Sequence, residues 1–320
     1  MEMTRVLDGL ERRIAAALQV DGRASWRGIA SVLAEPERTV ARRGNELLAS
    51  GAVAVVGILP HADAAVLRVS CSPGTARMAT ESLAQRSDCT FAYMTTGSTD
   101  CVAELMFDSG KLPQVLGTEV PATVGLLTAV SYPVLRYFRT IRGWRSGPLT
   151  EAQVAALTSE YSTDHTEMPD SSELTPQDLR IAEVLAENGR AGYEEIARRT
   201  GTSESTASRR TDWLLRHGHV HLRALVEPAL VGLPVEAVLW IRAAPNRVDG
   251  IGRELSAQRE VRYAAALAGD HQLVANVTVP DNAALYRFTT ESAWAARAES
   301  VETTLLLHAR KRGGRMLPVA

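Results

Sequence analysis

The chain has 320 residues, a formal net charge of −2 and 45% hydrophobic residues, enough length for two or more domains that each bury a core. The near-neutral charge excludes a uniform basic coat for nucleic acid while permitting a local basic surface. No apolar run approaches the roughly 18 residues of a membrane span, the charged start does not look like a secretory signal, and Cys71, Cys89 and Cys101, without paired spacing, read as reduced thiols of a cytoplasmic protein, not as a disulfide frame or metal site.

Residues 1–60 read as a three-helix unit. Asp8 caps a first helix that Asp21-Gly22 ends, a second runs from Trp26 to Leu33, and a third follows a turn at Ala34 and Pro36. Gly44 falls inside the third helix, where glycine costs roughly 0.5–1 kcal/mol relative to alanine, so this unit is expected to be the less rigid. Residues 61–142 give strand Ala64–Cys71, helix Pro73–Arg86, strands Thr90–Thr96 and Cys101–Phe107 around Gly97-Ser98-Thr99-Asp100, a short helix Lys111–Glu119 and strand Val124–Tyr137. Residues 143–173 read as a linker, with one short helix capped by Thr150 and a polar run Ser162–Glu173. Residues 174–227 repeat the three-helix plan: Thr175 as N-cap with Pro176 at the first helical position, a stop at Asn188-Gly189, helix Tyr193–Arg199, the tight turn Thr200-Gly201-Thr202, a third helix capped by Ser203, and an alternating strand Val220–Val226. Residues 228–320 give Glu236–Ala243, Asn246–Gln258, Val261–Ala268, Gln272–Val279, Asn282–Trp294 and Val301–Ala309. The ending Lys311-Arg312-Gly313-Gly314-Arg315 reads as a solvated basic tail, or alternatively as an added phosphate contact.

Sliding the sequence by 167 positions lays Leu7–Val53 on Leu174–Val220 without a gap, with 18 of 47 positions identical. The period is far too long for a solenoid and implies a duplicated module of domain size. Helix, turn, helix and trailing strand form a winged helix-turn-helix pattern; the order β-α-β-β-α-β is the ferredoxin-like split motif. The expected fold is therefore α+β, with two winged helix-turn-helix units and two ferredoxin-like units in tandem. One face of each sheet carries helices. The other needs cover from the second copy or from another chain, which predicts face-to-face sheet packing and self-association, within the chain or as a homodimer.

The stretches Glu37–Arg43 and Glu204–Arg210, with the leads Asp21-Gly22-Arg23-Ala24 and Asn188-Gly189-Arg190-Ala191, resemble the recognition helices of the Lrp/AsnC family. The β-α-β-β-α-β units resemble its ligand-sensing domain, where a Gly-x-x-Asp turn is typical. Gly97-Ser98-Thr99-Asp100 matches that turn, and Gly269-Asp270-His271-Gln272 keeps the glycine but places glutamine last. The resemblance implies a non-enzymatic transcriptional regulator that binds double-stranded DNA, needs no cofactor or membrane, and answers to a small molecule such as an amino acid. A recognition helix presents polar side chains to base edges in the major groove. The candidate DNA contacts are Arg38, Thr39, Arg42 and Arg43 in the first copy and Ser203, Ser205, Thr206, Ser208, Arg209 and Arg210 in the second. The candidate effector residues are Gly97, Ser98 and Asp100 with Gly269 and Gln272. Paired arginines on a helix are ordinarily a solvated face; their recurrence at equivalent places favours DNA contact. Trp26 and Tyr193 read as core. Two other readings stand beside this one. The chain could be a sirohaem-decarboxylase-like enzyme on the same build, with His271, His308 and Arg310 in the cleft, or a sensor acting only through protein contacts.

Overall fold

The structure, a computed structural model, describes residues 5–60, 63–145, 147–159 and 174–317. The polar run expected at Ser162–Glu173 lies outside them. In chain order the first stretch holds α1 (Gly9–Val20), α2 (Trp26–Leu33), α3 (Glu37–Ala49) and β1 (Val53–Ile58). Then come β2 (Asp63–Cys71), α4 (Ala76–Gln85), β3 (Cys89–Thr95), β4 (Cys101–Phe107), α5 (Leu112–Gln114), continued as a π-turn over Val115–Glu119, and β5 (Leu126–Arg139). Next are α6 (Glu151–Leu157), α7 (Pro176–Glu187), α8 (Tyr193–Thr200), α9 (Glu204–Arg216) and β6 (His221–Val226). The last stretch holds β7 (Val235–Arg242), α10 (Pro245–Ala257), β8 (Val261–Leu267), β9 (Leu273–Val279), α11 (Asn282–Thr290), β10 (Ser300–Arg312) and β11 (Arg315–Met316). The chain divides into two compact units, Met1–Pro60 with Arg145–Val231, and His61–Trp144 with Gly232–Ala320.

The first unit holds both helix trios. Helix α1 starts at a capping box in which the Asp8 side chain accepts from Leu10 N and Glu11 N while Glu11 returns a carboxylate to Asp8 N. Thr175 and Asp178 repeat that box on α7. In each trio the apolar faces converge, on Ile181, Leu185, Ile196, Ala207 and Leu214 in the second and on Ile14, Leu18, Ile29, Val40 and Leu47 in the first. The strand after each trio is not a free wing: β1 and β6 pair antiparallel along their whole length. Helix α6, capped by Thr150 as expected, donates from Gln153 Nε2 to the carbonyl of Val32 at the end of α2.

The second unit is a strand circuit with helices outside. Its order is β10-β3-β4-β2-β5-β8-β9-β7, with β7 pairing again to β10, so the sheet closes on itself. Alternation sorts the side chains. From β2, Ala65, Leu67 and Val69 meet α4, whereas Val66 joins Tyr93, Val102, Tyr132, Val238, Trp240, Tyr263 and Val274 inside. From β7, Leu239 and Ile241 meet α10 and α11.

Two expectations are corrected here. The sheets were expected to cover each other face to face; their helix-free faces do meet in one interior cluster, but the sheets are also joined edge to edge, which was not expected. Strand β5 pairs with β2 through Leu126–Pro133 and with β8 from Val134 on. Strand β10 pairs with β7 through Ser300–Leu305 and with β3 from Leu306 on. Two strands long enough to serve both sheets satisfy edges that would otherwise be open. The basic ending is likewise neither a solvated tail nor a phosphate contact. Lys311 and Arg312 finish β10 at 5% and 2% exposure, Gly313 and Gly314 take positive φ of 56° and 80°, and that turn leads into β11. Arg312 holds Glu236 through two hydrogen bonds of 2.8 and 2.9 Å.

Candidate nucleic-acid interface and effector turns

The helix-turn-helix geometry is set by the turns. Gly201 ends α8 in the left-handed region at φ 68°, and Ala34 adopts the same conformation at φ 55° although it carries a Cβ. Beyond each turn α3 and α9 expose one face. On α3 that face carries Arg38, Arg42 and Asn45; on α9 it carries Ser205, Arg209 and Arg216. Arg42 pairs with Glu46 one turn on, at 2.8 Å and exposed, an arrangement that phosphate or base readily replaces. Among the described residues Arg38 and Arg209 have no partner. Thr39, Thr206 and Ser208 are half-buried on the flank, and Ser203 is committed to its cap, accepting from Thr206 N at 3.2 Å.

The second arginine of each pair points the other way. Arg210 grips Asp178, whose side chain is fully buried, with Nε donating to Oδ1 at 2.6 Å and Nη2 to Oδ2. Burial pushes the Asp178 carboxyl up, but Arg210 and the Thr175 cap outweigh it and hold the group below the usual carboxylate range. Arg43 makes the matching pair to Asp8 at 2.5 Å. These two guanidinium groups tie the third helix of each trio to the start of its first helix; the arginines on the exposed faces are Arg38, Arg42, Arg209 and Arg216.

The two trios are locked reciprocally. Arg23 donates to the carbonyls of Gly189 and Ala191 at 2.9 and 3.0 Å and lies over the Tyr193 ring. Arg190 donates to the carbonyls of Gly22 and Ala24 at 2.7 and 3.1 Å and lies over the Trp26 ring. Trp26 and Tyr193 are thus half-buried platforms for arginine. Gly22 and Gly189 are required beside them: a Cβ on either would meet Val55 at 2.8 or 2.9 Å. Under the 167-residue offset Val56 corresponds to Arg223, and these two residues face each other in the β1–β6 ladder. That is the register a two-fold axis between the two trios would give.

In the second unit the two Gly-x-x-x turns do the same structural job. Asp100 accepts from Cys71 N at 2.8 Å, and Gln272 accepts from Ala243 N at 3.1 Å, each at the end of its unit's first strand. Gln272 therefore keeps the turn without the charge. Gly97 and Gly269 have φ of 93° and 147°; a Cβ at Gly97 meets nothing, whereas one at Gly269 would strike the Tyr132 ring at 2.7 Å. Ser98 reaches Glu302 at 2.8 Å and accepts from Arg68 at 2.6 Å. His271 is buried beside Tyr132 and Trp240, and burial holds its pKa below the ordinary value. Arg310 instead binds Glu81 and the carbonyl of Leu317, so His271 and Arg310 serve different partners. Burial pushes the Cys89 and Cys101 thiols up to about 12, which keeps them unreactive. Among the described residues no metal-binding cluster occurs, and no helix is long and apolar enough to cross a membrane.

Residues 174–215 match the AsnC-type helix-turn-helix domain and residues 236–316 match the Lrp/AsnC ligand binding domain. Over 143 residues the chain is 34% identical to an uncharacterized HTH-type transcriptional regulator of Pyrococcus horikoshii, covering 44% of this chain and 90% of that relative. The chain belongs to the Lrp/AsnC family. A second relative from this comparison, an uncharacterized HTH-type transcriptional regulator of Pyrococcus abyssi, is 35% identical over 138 residues, 42% of this chain and 87% of its own length. The solved siroheme decarboxylase NirDL superposes with a TM-score of 0.60 at 10% identity, covering 94% of this chain and 92% of that one; the likeness is one of fold.

Within this Lrp/AsnC chain, sequence reasoning missed Asn45 and Arg216, which complete the exposed faces, and Arg68, Tyr132, Trp240 and Glu302, which join Ser98 and His271. A signal existed for Arg68: it is the one charged residue in the mostly apolar stretch Ala64–Cys71, and a charge there needs a built partner.

Proposed function

We propose that the chain is two Lrp/AsnC modules in tandem that close on each other as a dimer within one polypeptide, bind duplex DNA through α3 and α9, and respond to a small molecule at the sensing sheets. The observation that carries this is the pairing of an exposed arginine face on each recognition helix with the reciprocal Arg23 and Arg190 lock behind them. The lock fixes the two readers to each other, as two half-sites about one helical turn or a multiple apart require. Because Arg38, Arg42 and Asn45 differ from Ser205, Arg209 and Arg216, the half-sites are not copies of each other. Arginine offers a bidentate fork to guanine and asparagine to adenine, so the α3 half-site is the more purine-defined.

In this reading the protein is a cytoplasmic regulator and not an enzyme. Both readers keep groove-facing arginines, and a decarboxylase has no use for them. Purified protein free of tetrapyrrole absorbance supports this; a bound tetrapyrrole would favour the enzyme. The test of DNA reading is a gel shift on fragments recovered genome-wide with the purified protein. Arg209→Ala and Arg42→Ala should each weaken binding about tenfold or more with unchanged melting temperatures. Unchanged affinity in both variants would overturn the reading.

A further inference from the structure

We propose that the chain carries one composite carboxylate-binding site at the seam of its two sheet halves, where a small-molecule carboxylate takes the place of Glu302 on Arg68. This rests on the effector reading above and gives it a location, a ligand chemistry and a stoichiometry of one. Arg68 in β2 is 8% exposed and lies over the fully buried Trp240 ring at 4.7 Å. Its guanidinium is held by both oxygens of Glu302 in β10, at 3.0 and 2.6 Å, and by Ser98. The cation is thus buried and oriented in advance, while its anionic partner is 38% exposed at the side chain. Glu302 occupies the position of a ligand carboxylate as a tethered competitor.

The seam also holds buried groups that nothing satisfies. Trp240 Nε1 has no acceptor, although the residue has no exposed surface, and Thr99 Oγ1, next to Ser98, has no partner. A buried indole N–H ordinarily finds an acceptor, and an orphaned one is costly. A ligand held at Arg68 brings oxygens to this place.

The pairing registers show why there is one such site. Arg68 pairs with Val130, and its counterpart Trp240 pairs with Glu302. The cation therefore comes from one half and its carboxylate partner from the other, and the mirror position offers Trp240 and Val130, neither of which brings a cation. His271, from the second turn, lies 3.8 Å from Glu302 and can donate a hydrogen bond to the Glu302 carboxylate once it has left Arg68.

The test uses the full chain with acetate and glycine as probes, glycinamide as the probe without a carboxylate, and thermal unfolding with tryptophan fluorescence as readouts. Glu302→Ala should respond saturably to acetate and glycine, at concentrations about tenfold or more below those the wild type needs, and not to glycinamide. The double variant with Arg68→Ala should show no response. Absence of a saturable response in Glu302→Ala, or an equal response in the double variant, overturns the proposal; should Glu302→Ala fail to fold, Glu302→Gln carries the same series. Regulation is separable by gel shift. Glycine that alters wild-type DNA affinity and still does so in the double variant sinks this site and spares the effector reading. A carboxylate that saturates Glu302→Ala without altering DNA affinity keeps the site and sinks the regulatory role.

Discussion

At the scale of single residues, identity between the two halves was legible but its reasons were not. Gly22, Arg23, Gly189 and Arg190 stand out in the repeat; that each arginine serves the other half's carbonyls, and each glycine makes room for the paired strands, depends on contacts no periodicity encodes. Gly44 is the clearest reversal. Read from sequence it is a weak point in a helix, but a Cβ there would lie 2.4 Å from the Trp26 ring, so the glycine is what lets α2 and α3 approach. Gly44→Ala should therefore lower stability by about 1–3 kcal/mol through overpacking, in denaturant melts, whereas Gly9→Ala, which meets nothing within 4 Å, should be neutral; a stabilised Gly44→Ala would return the position to simple helix propensity. The arginine pairs divide in the same way. Arg210→Ala strands the buried Asp178 carboxylate and should cost about 1–3 kcal/mol, while Arg209→Ala should leave the melt unchanged and act on DNA alone. Equal melts for the two variants would contradict the inward role of Arg210.

At the scale of elements, the helices and most strands followed from caps, stops and alternation, within a few residues. Asp8, Thr150, Thr175 and Ser203 cap where they were expected to. Strand β5 was legible at its full length, expected at Val124–Tyr137 and found at Leu126–Arg139; β10 was expected to stop at Ala309 and runs to Arg312, and the change of partner half-way along both strands, set by the opposite sheet, was not legible. Their interior carries a group that sequence offered no reason to single out. Glu104, 4% exposed, accepts from Tyr263 at 2.7 Å, from Tyr137 at 3.1 Å and from Thr90, so strands of both sheet halves meet on one carboxyl. Burial raises its pKa above the ordinary value against the opposing pull of those hydroxyls. A carboxyl whose pKa is higher folded than unfolded gives stability that is fully present below the unfolded value and is lost as pH rises through the folded one. Glu104→Gln should accordingly flatten the fall in melting temperature as pH rises from about 4.5; a fall as steep as that of the wild type would show that Glu104 does not govern it.

At the scale of the whole molecule, the mixed helix and sheet class was readable from caps and apolar spacing, and the pairing of β1 with β6 and the closed strand circuit were not, because they join stretches far apart in the chain. The turns at Gly97 and Gly269 were legible, but Arg68, Tyr132, Trp240 and Glu302, which join Ser98 and His271, come from four distant strands. If α3 and α9 engage DNA together, the arginines on both faces neutralise several phosphates, and log affinity should fall linearly with log salt with a slope of about −0.9 per phosphate contacted. Removing Arg38 and Arg42 should reduce that slope by about two; a slope unaltered by their loss would place the phosphate contacts elsewhere.

The Val56–Arg223 crossing has a genetic consequence. In an assembly of identical subunits every substitution lands twice, so a residue facing its own copy can change only if the new side chain tolerates itself. Here valine faces arginine, and Arg223 uses the asymmetry by donating to the carbonyl of Gln19 at 2.7 Å. In the tandem arrangement proposed above, covalent linkage lets each side of the axis mutate alone, and a charge that would repel its twin in a symmetric pair can be kept.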